Sequence, residues 1–187
     1  MPSPLAHLSV AYVIQRVLRK RGGAAPAAPP WGAWKWLAAT AVLSLLPDLD
    51  AVPGLLLHNM HGYHNAVTHT PAAALMAAAI VGLGVRLLRR GRPWFWFGLT
   101  LLCYAMHLFL DLFCFGRGMM LLWPFSSDRT LPPFFAFFGF HWSSRWNDRI
   151  HLWTVLNETV FAAVVIALVH AFTRSKRTKP PADAAAR

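Results

Sequence analysis

The sequence predicts an all-α fold, a polytopic helical membrane protein with four or five transmembrane helices. Composition is the first reason. Of 187 residues, 56% are hydrophobic and only 13% charged, against roughly 45–50% and 25% in soluble domains. The second is patterning: the apolar residues gather into stretches of helical length, most of them closed by a cluster of Arg and Lys, as membrane spans are. The length suits one domain, 1–173, followed by a basic Pro/Ala-rich tail, 174–187, expected to be disordered and cytoplasmic.

Eighteen Lys and Arg against seven Asp and Glu give a net charge of +11. In a soluble protein that balance suggests nucleic acid. Here the basic residues lie between hydrophobic segments, where they set topology and meet anionic headgroups. Membrane lipids and a small-molecule or lipid substrate are therefore the expected partners, and nucleic acid is not. Cys103 and Cys114 fall on one predicted helix, too far apart for a mutual disulfide. The N-terminal stretch lacks a charged region before its apolar run and is not read as a cleaved signal.

Taken in order, residues 4–18 form an apolar helix of about 15 residues, short for a span and able to cross marginally or lie in the interface. Residues 22–30 (GGAAPAAPP) read as a linker. Trp31, Trp34 and Trp36 with Lys35 mark a membrane interface. A second segment covers 36–46 and reaches Pro47-Asp48-Leu49-Asp50; the loop from there to Thr70 holds four histidines and no Lys or Arg. The third segment is 71–88. The fourth, 94–115 (WFWFGLTLLCYAMHLFLDLFCF), has about 22 residues, enough to cross a core of roughly 30 Å. A long aromatic connection follows, and 151–172 is the last span. Within the connection, 131–142 (LPPFFAFFGFHW) reads as an interfacial anchor, with a lid over a site as the sharper alternative.

The clusters Arg19–Arg21, Arg86–Arg92 and the C-terminal tail place those ends in the cytoplasm. His107 and Asp111 then lie toward the outer end of their helix, one turn apart on one face. Ionisable groups inside a span are expensive and mark functional sites. Asp48, Asp50, His64, His69 and Glu158 come out at the same level, and His7 joins them if the first helix crosses. Neutral His with ionised Asp suits a divalent cation, zinc, manganese or iron, with zinc expected first, and seven candidate ligands (His7, Asp48, Asp50, His64, His69, His107, Asp111) suit two ions. No Lys or Arg lies in these motifs to pair with the carboxylates. Blander readings stand beside this one. His107 and Asp111 can be a structural pair, Asp48 a helix cap, Glu158 a cap or ion-pair partner, and His58 and His61 are read as loop histidines. His170 falls at the cytoplasmic end and is excluded.

The ordered set of an early His, LLPDLD at 45–50, His64-x4-His69, His107-x3-Asp111 and LLWPFS at 121–126 resembles the bacterial membrane-bound metal-dependent hydrolases, the LexA-regulated inner-membrane hydrolases. Asn65 departs from it, standing where that family typically has Arg, and this leaves the choice of substrate open. The family is more distantly similar to zinc-dependent phospholipase C and P1 nuclease, whose likeness implies phosphoester hydrolysis.

The resulting expectation is a membrane-embedded hydrolase of the inner membrane with its site at the outer face. His64, His69, His107 and Asp111 would hold the metal, Asp48 or Asp50 would bridge, and His7 would complete one site. Asp50 or Glu158 would act as general base, and Thr68 and Thr70 would orient the histidines. The competing class is a non-enzymatic protein using the same residues for haem or a structural metal. A transporter would need ionisable residues along a path to both faces, and the cytoplasmic halves of these spans have almost none.

Overall fold

A computed structural model describes residues 2–21, 31–89, 91–139 and 148–174. The expected linker at 22–30, positions 140–142 of the aromatic stretch and 175–187 of the tail lie outside these described residues. Within them the chain is helical, with two isolated bridge pairs and no strand. The order is α1 (Pro4–Arg21), α2 (Ala33–Ser44), a tight 3-10 turn (Pro47–Asp50), α3 (Ala51–Leu56), α4 (Met60–Tyr63), a second tight turn (Val67–His69), α5 (Pro71–Leu87), α6 (Pro93–Leu112) and α7 (Arg149–Thr173).

Two helices are long and apolar enough to cross a membrane, α6 with 20 residues and α7 with 25. A third span results if α2 and Pro47–Leu56, bent by 54°, count as one. The four or five spans expected from the sequence are more than this. The apolar α5 has only 17 residues, and α1 carries Gln15, Arg16, Arg19 and Lys20 along its second half. Even so, α1 does not lie across the bundle. It follows α7 in parallel: Ser3 N–H donates to Glu158 at 2.7 Å, Tyr12 hydrogen-bonds His170 at 2.8 Å, and Lys20 donates to the Phe172 carbonyl at 2.6 Å.

The pairing of α5 with α6 rests on small residues. Ala74, Ala78 and Gly82 recur every four positions on the buried side of α5, which lets two backbones approach closely in lipid. At Gly82 an added Cβ would come within 3.3 Å of Phe97 Cβ. Helix α6 also touches α1 and α2. One apolar layer, Ile14, Trp36, Leu43, Trp96, Leu99 and Cys103, packs these three helices together. Toward the other end of α6, Tyr104, Leu108 and Met119 pack on α5, while Leu110, Cys114 and Phe137 pack on Ala6 of α1.

The helix α6 stops earlier than the apolar run in its sequence. The chain leaves it after Leu112, and Phe115 N–H donates to the Phe137 carbonyl at 2.9 Å. Both cysteines are free and buried. Connectivity sorts the charges: α1 and α7 end where α2 and α6 begin. Arg19, Lys20, Lys35, Arg86, Arg89, Arg92 and Arg174 therefore share one end of the bundle, and the candidate site residues share the other.

Candidate metal centre

The site begins with a broken helix. Pro47 has no N–H to donate, and the N–H of Asp48 bonds the Leu45 carbonyl at 3.1 Å instead of Ser44's. The carbonyl of Ser44, one of the unpaired group at a helix end, is left to accept from His107 Nδ1 at 2.7 Å. That bond sets the tautomer of His107 and turns Nε2 toward the interior. There it lies 3.3 Å from His69 Nε2 and 3.4 Å from both Asp48 Oδ1 and Asp111 Oδ2.

The tight turn Pro47–Asp50 sends its two carboxylates to different places. Asp48 meets His69 Nε2 at 3.6 Å. Asp50 goes behind the imidazoles, with Oδ1 2.6 Å from His64 Nδ1 and Oδ2 3.2 Å from His69 Nδ1. Thr68 donates its hydroxyl to the same Oδ2. The turn carrying Thr68 is tied to α6 by Tyr104, whose hydroxyl donates to the Thr68 carbonyl at 2.6 Å. Helix α1 supplies His7, stacked on His107 with ring centroids 3.8 Å apart and Nε2 3.4 Å from Asp111 Oδ1. Asp111 Oδ2 is also 3.1 Å from His69 Nε2.

Three overlapping groups result, each with its donor atoms within 4.8 Å of one another: His7–Asp48–His107, Asp48–His64–His69 and His69–His107–Asp111. His7, His69, His107 and Asp111 are buried, and the Asp48 side chain is 16% exposed. His7 Nε2, Asp48 Oδ1 and both Asp111 oxygens have no hydrogen-bond partner among the described residues. Buried carboxylate oxygens without donors are costly unless a cation meets them. The donor set of imidazole nitrogens and carboxylate oxygens therefore fits a divalent metal.

Six of the seven candidate ligands fall in these groups, and Asp50 does not. It holds His64 and His69 by their Nδ1 atoms, the position of an outer carboxylate that fixes metal-binding histidines. Of the two residues expected to bridge, Asp48 belongs to two of the groups, and Asp50 lies behind the histidines. Glu158 is not brought to the cluster either. It sits inside α7, fully buried, and accepts the N–H and hydroxyl of Ser3 at the start of α1. Glu158, expected as a general base, thus stands apart from the three groups and ties down the start of α1 through both carboxylate oxygens. Thr70, expected to orient a histidine, caps α5 by accepting from Ala73 N–H at 3.1 Å. His58 is exposed in a turn, and His170 bonds Tyr12 at the far end of the bundle.

A model of the YdjM inner membrane protein family matches residues 1–179. The chain belongs to that family. No curated protein and no solved structure matches it. The apolar helices fit the inner-membrane placement that the YdjM description gives.

The match covers both ends of the Ser3–Glu158 tie, whose partners are 155 positions apart. No local pattern in the YdjM-type sequence signals it. Removing the carboxylate leaves the two Ser3 donors unpaired, so Glu158→Ala is expected to lower stability by about 1–3 kcal/mol. The metal content should stay at the wild-type level. Thermal unfolding in detergent beside elemental analysis checks both halves.

Proposed function

We propose that this YdjM-family protein is a metal-dependent hydrolase embedded in the inner membrane, acting on a phosphoester of a lipid-like substrate. One observation carries the reading. Histidines and aspartates from α1, the Pro47–Asp50 turn, the His64–His69 segment and α6 converge, and His7 Nε2, Asp48 Oδ1 and both Asp111 oxygens lack a hydrogen-bond partner among the described residues. His7, Asp48, His64, His69, His107 and Asp111 would hold the metal, zinc or manganese, in about two ions. When bound, such ions lower the pKa of a water to about 7 and polarise the substrate oxygen.

The chain's own residues supply the rest. The Ser44 carbonyl and Asp50 fix three imidazoles by their Nδ1 atoms, so that each presents Nε2. The apolar helices around Asp111 exclude water from the floor of the site. Basic residues at the opposite end of the bundle favour a cytoplasmic C-terminus and an outward-facing site. A haem between His7 and His107 is disfavoured, because rings stacked at 3.8 Å leave no space for a porphyrin.

The test is hydrolysis by the purified protein of short-chain phospholipids and soluble phosphoesters, with zinc or manganese added. Product release should depend on the metal, fall to background with a chelator, and return when the ion is restored. A metal-loaded protein that cleaves none of these phosphoesters contradicts the reading.

A further inference from the structure

The exit from α6 brings two arginines to the rim of the cluster. Arg117 donates to the His64 carbonyl, and Arg129 donates through Nη1 to the carbonyls of Asn65 at 3.1 Å and Gly118 at 2.8 Å. The pair is built by the local backbone. Met119 and Thr130 exchange hydrogen bonds at 3.1 and 2.8 Å, which lays the two arginine-bearing segments side by side. Gly118, at φ +75°, permits the approach: a Cβ there would lie 2.5 Å from the Thr130 carbonyl oxygen. Asn65 turns its carbonyl to Arg129 from a left-handed conformation, φ 57°, which Asn tolerates better than most residues.

Like charges side by side are unfavourable, and burial and the Arg129 guanidinium lower the pKa of Arg117 while Asp50 raises it. No carboxylate among the described residues lies within ion-pair distance of Arg129. With Nη1 committed to two carbonyls, its Nε and Nη2 donors form an edge of the kind that grips two oxygens of a phosphate. Arg117 and Arg129 also stand apart from the other cations. Most described basic residues lie at the far end, and Arg149 is the other one at this end. Leu122, Phe125, Leu131 and Phe134 are exposed on the same connection, beside the polar Ser127 and Asp128.

We infer that Arg117 and Arg129 form a guanidinium clamp that binds the phosphate group of the substrate at the rim of the His64–Asp50 side of the cluster. This rests on the metal-dependent hydrolase reading. The phosphate sits where a charged headgroup meets the guanidinium donors, and the exposed Leu and Phe side chains flank an attached acyl chain. A soluble phosphate compound would use the arginines alone.

The experiment uses the full chain, purified in detergent and loaded with zinc. Inorganic phosphate and dihexanoyl phosphatidic acid are titrated into wild type, Arg117→Gln, Arg129→Gln and Arg129→Lys, with metal content and melting temperature measured on each. The clamp predicts that each Gln variant weakens phosphatidic acid binding by about tenfold or more, with Lys at 129 intermediate. Metal content should be unchanged. If inorganic phosphate weakens in parallel, the phosphate group is what the arginines read; if only phosphatidic acid binds and weakens, the source is the lipid headgroup. Wild-type affinity in Arg117→Gln and Arg129→Gln, or no binding of either probe to wild type, overturns the clamp. A Gln variant that melts early is replaced by Arg129→Lys, whose unchanged affinity counts equally against it. Arginine-dependent binding in a protein that holds no metal sinks the hydrolase reading and leaves the clamp standing.

Discussion

Asp111→Ala is expected to abolish metal binding, weakening it by more than the roughly 10–100-fold that loss of an outer partner costs. Asp111 is the carboxylate most deeply placed in the cluster, with oxygens 3.4, 3.1 and 3.4 Å from nitrogens of His7, His69 and His107. Deleting it removes a negative charge and a ligand together, and leaves three imidazoles crowded around an apolar gap. The variant should fold, because a buried carboxylate is replaced by a small apolar group next to Leu108 and Leu110. Hydrolysis should disappear with the metal. Elemental mass spectrometry on the purified variant checks the first effect and the phosphoester assay the second. Metal retained at the wild-type level would mean that His107 and Asp111 are a structural pair.

Asp50→Asn should behave differently. Its carboxylate reaches His64, His69 and Thr68 by their ring nitrogens and hydroxyl, and it lies outside the three ligand groups. An amide of the same shape still fits but presents one acceptor in place of two, and so holds one imidazole less well. The expected result is metal affinity lowered by about 10–100-fold with the ion still bound at saturating concentration. Competition against a chelator of known affinity measures it. A loss as complete as that of Asp111→Ala would make Asp50 a direct ligand, and an unchanged affinity would remove its orienting role.

These two aspartates show what the sequence reveals and what it withholds. Asp111 is legible because an ionisable residue in an apolar helical run, one turn from His107, stands out against its surroundings. The end of the bundle that gathers His7, Asp48, His64 and His69 is legible from the alternation of basic clusters along the chain. The roles of Asp48 and Asp50 are not. Both lie in a tight turn after Pro47, and only the fold shows that one faces His107 while the other passes behind His64. The same is true of Ser44, whose contribution is a carbonyl and carries no side-chain signal. Glu158 reads correctly as an unusual residue but its partner, Ser3, is at the opposite end of the chain. Arg117 and Arg129 sit in an aromatic connection with no periodicity, and it is the Met119–Thr130 pairing that makes them neighbours. Four or five spans is a little more than the two or three that helix length and hydropathy give, because α5 has 17 residues and α1 carries Gln15, Arg16, Arg19 and Lys20.

The most direct test of the metal centre is the metal content of the wild-type protein, purified in detergent after growth with zinc and manganese and measured by elemental mass spectrometry. About two zinc or manganese ions per chain, removed by a chelator and regained on dialysis against the ion, is the predicted result. Less than about a tenth of an ion per chain, with none taken up from added zinc or manganese, would contradict a site that buries this many unsatisfied donor atoms.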